Sequence, residues 1–208
     1  MLPGQKAISA RAASWVGRAV YQDAWQQRDR GAIKFSKADD ADALTRMAER
    51  MLIAFQASSL ATPVGTIIGV EEEFRGELIP GCPDLLARLD LLIDTGRELV
   101  ITDLKTARSR WSRQQVDDSA EQLLLYSELV RQLIPHRRVR LEFAVITKAK
   151  NPTVDRHSVV LDQRRIKRTK QIAARAWRAI EAGHFYPSPS PMNCPSCPFR
   201  GPCREWTG

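Results

Sequence analysis

A mixed α/β domain with one central sheet flanked by helices is the fold class that three observations predict for this 208-residue chain. Short β-branched runs with two-residue alternation occupy its middle. Stretches with helical spacing stand before, between and after them, and Gly, Pro, Asn and Asp punctuate the boundaries. With 43% hydrophobic composition the chain can bury one core. The expected organisation is an N-terminal helical part over residues 1–62, the core over 63–183 and a cysteine-bearing tail over 184–208.

The first helix is expected from Ile8 to Asp29, with Ala13, Val16, Val20 and Trp25 near one face and Gly31 as its stop. A second starts near Ser36 or Asp39 and runs through Ala57. Thr66 to Leu78 has strand character, bounded by Pro63 and the Pro80-Gly81 turn. Two apolar runs, LDLLID and VITDLKTA, then form a hairpin around Asp94-Thr95-Gly96-Arg97. A polar stretch over Ser109 to Ser112 leads into a helix from Gln114 to Ile134, which Pro135 ends. Val139 to Thr147 and Val154 to Leu161 read as strands joined at Asn151-Pro152, and Gln163 to Ala182 as a basic amphipathic helix.

The formal net charge of +8 makes an acidic partner the expected electrostatic one, and a nucleic-acid backbone is the commonest of these. No stretch approaches the length of apolar residues that spans a bilayer, and the opening MLPGQKAISARAAS lacks the apolar centre of a signal peptide. A soluble, cytoplasmic protein without membrane partners is the expectation.

The chemistry concentrates in the hairpin. With the four loop residues above, Ile93 faces Glu98 and Asp90 faces Ile101, so Asp90 projects to the same side as Ile101, Asp103 and Lys105. Two carboxylates and an ammonium on one face of an apolar hairpin are costly to bury unpartnered, and a divalent cation with a phosphate would satisfy all three. Asp90 and Asp103 would hold Mg²⁺ or Mn²⁺, and Lys105 would stabilise developing negative charge or orient a water. The plain alternative is an Asp90–Lys105 ion pair with Asp103 facing solvent. A one-residue change of register would turn Asp90 away altogether. Glu71-Glu72-Glu73 on the preceding strand offers a further carboxylate but is left outside the catalytic set.

Three other groups carry signals. Gln122 and Tyr126 stand one helical turn apart in EQLLLYSELV and share a face. Arg108, Arg110, Trp111 and Arg113 follow the lysine strand directly. With the cations of the Gln163 to Ala182 helix they suit one wall of a nucleic-acid groove, Trp111 either stacking on a single-stranded base or packing. Cys194, Cys197 and Cys203 crowd the tail while Cys82 stands alone, a pattern of metal or cluster ligation rather than disulfides in an intracellular chain.

Taken together, Asp90 in ARLDLL, the D-x-K of ITDLKTA, the Gln-x-x-x-Tyr of the QLLLY helix and the terminal AGHFYPSPSPMNCPSCPFRGPC resemble the RecB-like branch of the PD-(D/E)XK nucleases, which includes CRISPR-associated exonucleases. The resemblance runs from about Glu71 to Cys203. It implies a restriction-endonuclease-like core and metal-dependent cleavage of DNA, at single strands or duplex ends, in repair, recombination or phage or CRISPR-related processing. It also implies that Gln122 and Tyr126 orient substrate or lysine. Pro83-Asp84 spells the nominal motif but lies in the turn, and Asp90 takes the place of the metal-binding acid.

Two departures accompany the match. Where the branch often has G-x-x-x-H on its first helix, this chain has Gly17 to Tyr21, ending in a tyrosine. Second, C-x2-C-x5-C matches three ligands of the branch's [4Fe-4S] staple, whose fourth cysteine normally precedes the first helix. Cys82 is the only other thiol, and Zn²⁺ held by three cysteines and His184 is the rival occupant. The Tyr21 departure sustains a second functional reading, a catalytically inactive DNA-binding or scaffold module attached to a helicase or other repair protein.

Overall fold

The computed structural model describes Asp23, Phe35 and residues 39–207. Except for Asp23, the helix expected from Ile8 to Asp29 lies outside the described residues, as does Tyr21. The first described helix, α1, is Ala41–Gln56. It begins where Asp40 accepts a hydrogen bond from the Ala43 N–H at 2.6 Å, satisfying a donor that the helix start would otherwise leave open.

Five strands follow the order in which they appear in the chain: β1 Thr66–Gly76, β2 Leu85–Asp94, β3 Glu98–Ala107, β4 Arg138–Thr147 and β5 Val154–Val159. Neighbours are antiparallel except β3 and β4, which run parallel. A parallel neighbour needs a crossover, and two helices supply it: α2, Arg113–Asp118, and α3, Glu121–Leu133. These replace the single helix expected from Gln114 to Ile134. The break falls at Asp118-Ser119-Ala120, where Asp and Ser have low helix propensity, while Ser112 and Gln115 form a reciprocal capping box at the start of α2. Helix α4, Gln163–Glu181, and the short α5, Arg200–Glu205, complete the described elements with a 3₁₀ turn at Cys194–Ser196.

The main core lies on one side of the sheet, here the front. Leu123, Leu124, Leu129 and Val130 of α3 are buried in one cluster with Leu89, Leu92, Leu99, Ile101, Leu141, Phe143 and Val145. Each such side chain contributes about 1.5–3 kcal/mol by leaving water. On the back, Leu91, Ile93 and Val100 form a second, smaller cluster.

The hairpin register differs from the expected one. Leu92 rather than Asp90 pairs with Ile101, and Ile93 pairs with Val100 rather than Glu98. The Thr95 N–H donates to the Glu98 carbonyl at 3.0 Å, so only Gly96 and Arg97 remain as the turn, with Gly96 at φ +81°, a conformation open to glycine. The ladder is two residues off the expectation, and an even change leaves the paired residues Leu91 to Asp94 on their predicted faces.

Candidate active site

The sheet is distorted where Asp90 lies. Val70 pairs with Leu91 and Glu72 with Leu89, leaving Glu71 opposite Asp90 with a left-handed φ of 52°, a costly conformation for a residue bearing a Cβ. Leu89 and Leu92 both enter the front core although an ideal strand would send them to opposite sides, so alternation breaks at Asp90. Beyond this point the two strands part. The pairing of β2 with β3 ends at Leu91 and Thr102, whereas β3 stays paired with β4 as far as Ala107 and Thr147.

The opening between β2 and β3 holds three of the predicted residues. Asp90 Oδ2 accepts the Leu104 N–H at 2.6 Å, a ladder donor that the β2 backbone no longer reaches. Asp103 is 5% exposed, and its Oδ2 lies 2.7 Å from Lys105 Nζ. That buried oxygen nonetheless has no aligned hydrogen-bond donor. Burial raises the Asp103 pKa from its ordinary value; Lys105 acts in the opposite direction and the charge of Asp90 adds to the rise. The simple alternative of an Asp90–Lys105 pair with a solvated Asp103 is therefore not what forms.

Two carboxylates, Asp90 close enough to raise the pKa of Asp103 and the latter with a buried oxygen that has no aligned donor, fit a divalent cation. Among the described residues no group of three His, Cys, Asp or Glu side chains is placed to bind a metal. A pair suits Mg²⁺, which keeps several waters and takes one or two carboxylates together with substrate phosphates.

Gln122 Nε2 donates to Tyr126 Oη at 2.7 Å, so these two bond to each other on the helix covering the front face. Trp111 packs edge-on against Phe143, with ring centroids 5.2 Å apart, and Phe143 is the β4 partner of Asp103. It is thus part of the wall beside the site. Arg110 pairs with Asp155 at 3.3 Å, and Arg113 with Asp117 and the Ser158 carbonyl, each at 3.1 Å. Arg108 is exposed. On α4, Arg165 and Lys170 turn inward to Glu121 and Glu128 of α3, while Arg164, Lys167, Arg168, Arg175 and Arg178 face outward.

In the tail, Cys194, Cys197 and Cys203 line one cavity of about 370 Å³, and the Ser190 N–H donates to Cys194 Sγ at 3.2 Å. Neither Cys82 nor His184 lines that cavity among the described residues.

Sequence reasoning passed over Glu71 and a buried network on the back of the sheet. There Glu142 is 1% exposed and accepts from Thr102 Oγ1 at 2.8 Å, from Arg140 Nη1 at 2.5 Å and from Arg156 Nη2 at 2.8 Å on both oxygens. Arg140 Nε also reaches Glu98 at 2.7 Å. The signal was present in RVRLEF, where charged residues alternate with apolar ones along β4.

A family profile described as the PD-(D/E)XK nuclease superfamily matches residues 5–204. No curated protein matches the sequence. Among solved structures, a "putative exonuclease" from Eubacterium rectale superposes with a TM-score of 0.57 at 16% identity, over 100% of this chain and 77% of that one. At that identity the likeness establishes a shared fold. No described helix is long and apolar enough to cross a membrane.

Proposed function

Because the chain belongs to the PD-(D/E)XK nuclease superfamily, we propose that it is a divalent-metal-dependent deoxyribonuclease of exonuclease type within the RecB-like branch, acting in the cytoplasm on single strands or duplex ends. One observation carries this reading: the buried Oδ2 of Asp103, which has Lys105 beside it but no aligned donor, stands in the same opening as Asp90 and Lys105. Asp90 and Asp103 would hold Mg²⁺ or Mn²⁺. Such an ion, when bound, offsets negative charge on a phosphate oxygen and makes a water more acidic. Lys105, 36% exposed, has an ammonium able to reach both the buried carboxylate and a phosphate in the opening, where it would stabilise charge as it develops. Gln122 and Tyr126, locked together, would present one polar edge to substrate. Arg108 and the outward cations of α4 would hold the strand through its phosphates without reading sequence.

The test is degradation of labelled single-stranded and blunt-ended DNA with Mg²⁺ or Mn²⁺, repeated with Asp103→Ala and Lys105→Ala. Loss of cleavage with retained DNA binding supports the enzyme. Binding without cleavage in the unmodified protein supports the inactive module of a helicase-nuclease assembly, a reading sustained by Tyr21 standing where the branch often has a histidine. The tail cysteines are proposed as ligands of a [4Fe-4S] cluster, since an N–H donated to Cys194 Sγ stabilises a thiolate. Visible absorption after purification without oxygen distinguishes the cluster from Zn²⁺.

A further inference from the structure

A cavity of about 790 Å³ lined by described residues lies on the back of the sheet and is separate from the Asp90–Asp103 opening. Its position follows from strand alternation. Glu98 and Val100 line it, whereas Asp103 and Lys105, odd-numbered on the same strand, face the front. Ile93 and Val100 form its apolar floor beneath the loop that carries Leu60, Pro63 and Val64.

Four arginines surround this floor: Arg97 from the hairpin turn, Arg138 and Arg140 from β4, and Arg156 from β5. They are of two kinds. Arg140 and Arg156 are fixed by the buried Glu142, and Arg140 also by Glu98, so their positions are set before any ligand arrives. Arg97 and Arg138 have no carboxylate within ion-pair distance among the described residues, which leaves the rim with excess positive charge. From this geometry we propose that the back-face cavity binds a nucleoside phosphate, with the base on the apolar floor and the phosphate between Arg97 and Arg138.

Size and charge select this class. The volume falls within the range of small-molecule sites, about 300–1,000 Å³, and the apolar floor has no use for a lone inorganic anion. Residues 1–38 are a poor occupant, because they carry seven Lys and Arg against two Asp and would meet a rim of their own sign. The inference does not depend on the nuclease reading, since none of these residues belongs to the proposed catalytic set.

The test is calorimetric titration of the full chain with deoxyadenosine monophosphate, in EDTA so that no cation bridges a nucleotide to the front site. Binding is expected for unmodified protein and for Asp103→Asn alike. It should weaken about tenfold or more in Arg97→Ala/Arg138→Ala, as loss of charge-assisted hydrogen bonds implies. Both arginines are exposed and outside the Glu142 network, so this variant should keep its fold, which its thermal melt verifies. Deoxyadenosine and inorganic phosphate should each bind more weakly than the nucleotide. Competition by a 5′-phosphorylated oligonucleotide would identify the ligand as a strand end, and failure to compete as a free nucleotide. Undiminished binding in the double variant overturns the proposal. So does no binding by unmodified protein up to millimolar nucleotide, which would reassign the cavity to residues 1–38 or a second copy of the chain.

Discussion

Asp103 and Glu142 are carboxylates buried to a similar degree, on adjacent strands and opposite faces of one sheet, and they are treated in opposite ways. Glu142 receives Thr102, Arg140 and Arg156, with both oxygens occupied. Asp103 has a single lysine, 2.7 Å from its buried Oδ2 and not aligned as a hydrogen-bond donor. A buried charge with a full set of donors holds structure together, and one left short is a place where stability has been given up. The same contrast separates the paired half of the β2–β3 hairpin, which locks strands, from the parted half, which makes room.

The contrast can be broken most forcefully at Asp103. Asp103→Asn is expected to reduce DNA cleavage at least about a thousandfold, roughly 4 kcal/mol of barrier, in single-turnover assays, while thermal denaturation shows an intact fold. Were the variant both unfolded and inactive, Asp103 would resemble Glu142 and the distinction would fail. Glu142→Gln is the converse. It leaves arginines without their partner and should cost about 3 kcal/mol in urea denaturation, with cleavage per folded molecule little changed. A smaller effect concerns ligand. Saturating Mn²⁺, about a hundredfold above its dissociation constant, should stabilise the unmodified protein by about 2.7 kcal/mol and Asp103→Asn hardly at all, as read from melting temperatures.

Acidity gives the most subtle comparison. The folded pKa of Asp103 is raised, chiefly by burial, so the folded chain binds this proton more readily than the unfolded one. Metal-free protein therefore loses stability as pH rises from the ordinary aspartate range through the folded value, and the loss persists above it. Asp103→Asn should abolish that loss and be the more stable protein at neutral pH, by on the order of 1 kcal/mol. Equal stability of the two at neutral pH, with metal chelated, would count against an unsatisfied charge at this position.

Much of this was legible in the chain because burial patterns repeat with strand and helix periods. The five strands, the hairpin and the faces of Asp103 and Lys105 follow from alternation, which is a local property, whereas Asp90 stands where alternation breaks. The register did not follow, because Asp94 to Arg97 supports both a four-residue loop and a two-residue turn at Gly96-Arg97, and only pairing decides between them. Two features were beyond local reading. The left-handed Glu71 and the kink at Asp90 depend on where β2 parts from β3 while staying paired with β1, and Glu142 meets Arg156 only once β5 has folded beside β4. Alternation marked Glu142 as a residue of the charged face, yet burial of that face depends on the arginines that cover it.

The hydrogen bond from the Leu104 amide to Asp90 has a consequence for ion choice. It occupies a lone pair of one carboxylate oxygen and leaves the other oxygen fully free, so this aspartate favours single-point ligation. Calcium favours many oxygens and two-point carboxylates, whereas the smaller magnesium accepts one oxygen per ligand and completes its shell with water. A peptide N–H thereby acts as a size filter, and Ca²⁺ is expected to be the weaker competitor when Mn²⁺ binding is followed by its paramagnetic signal.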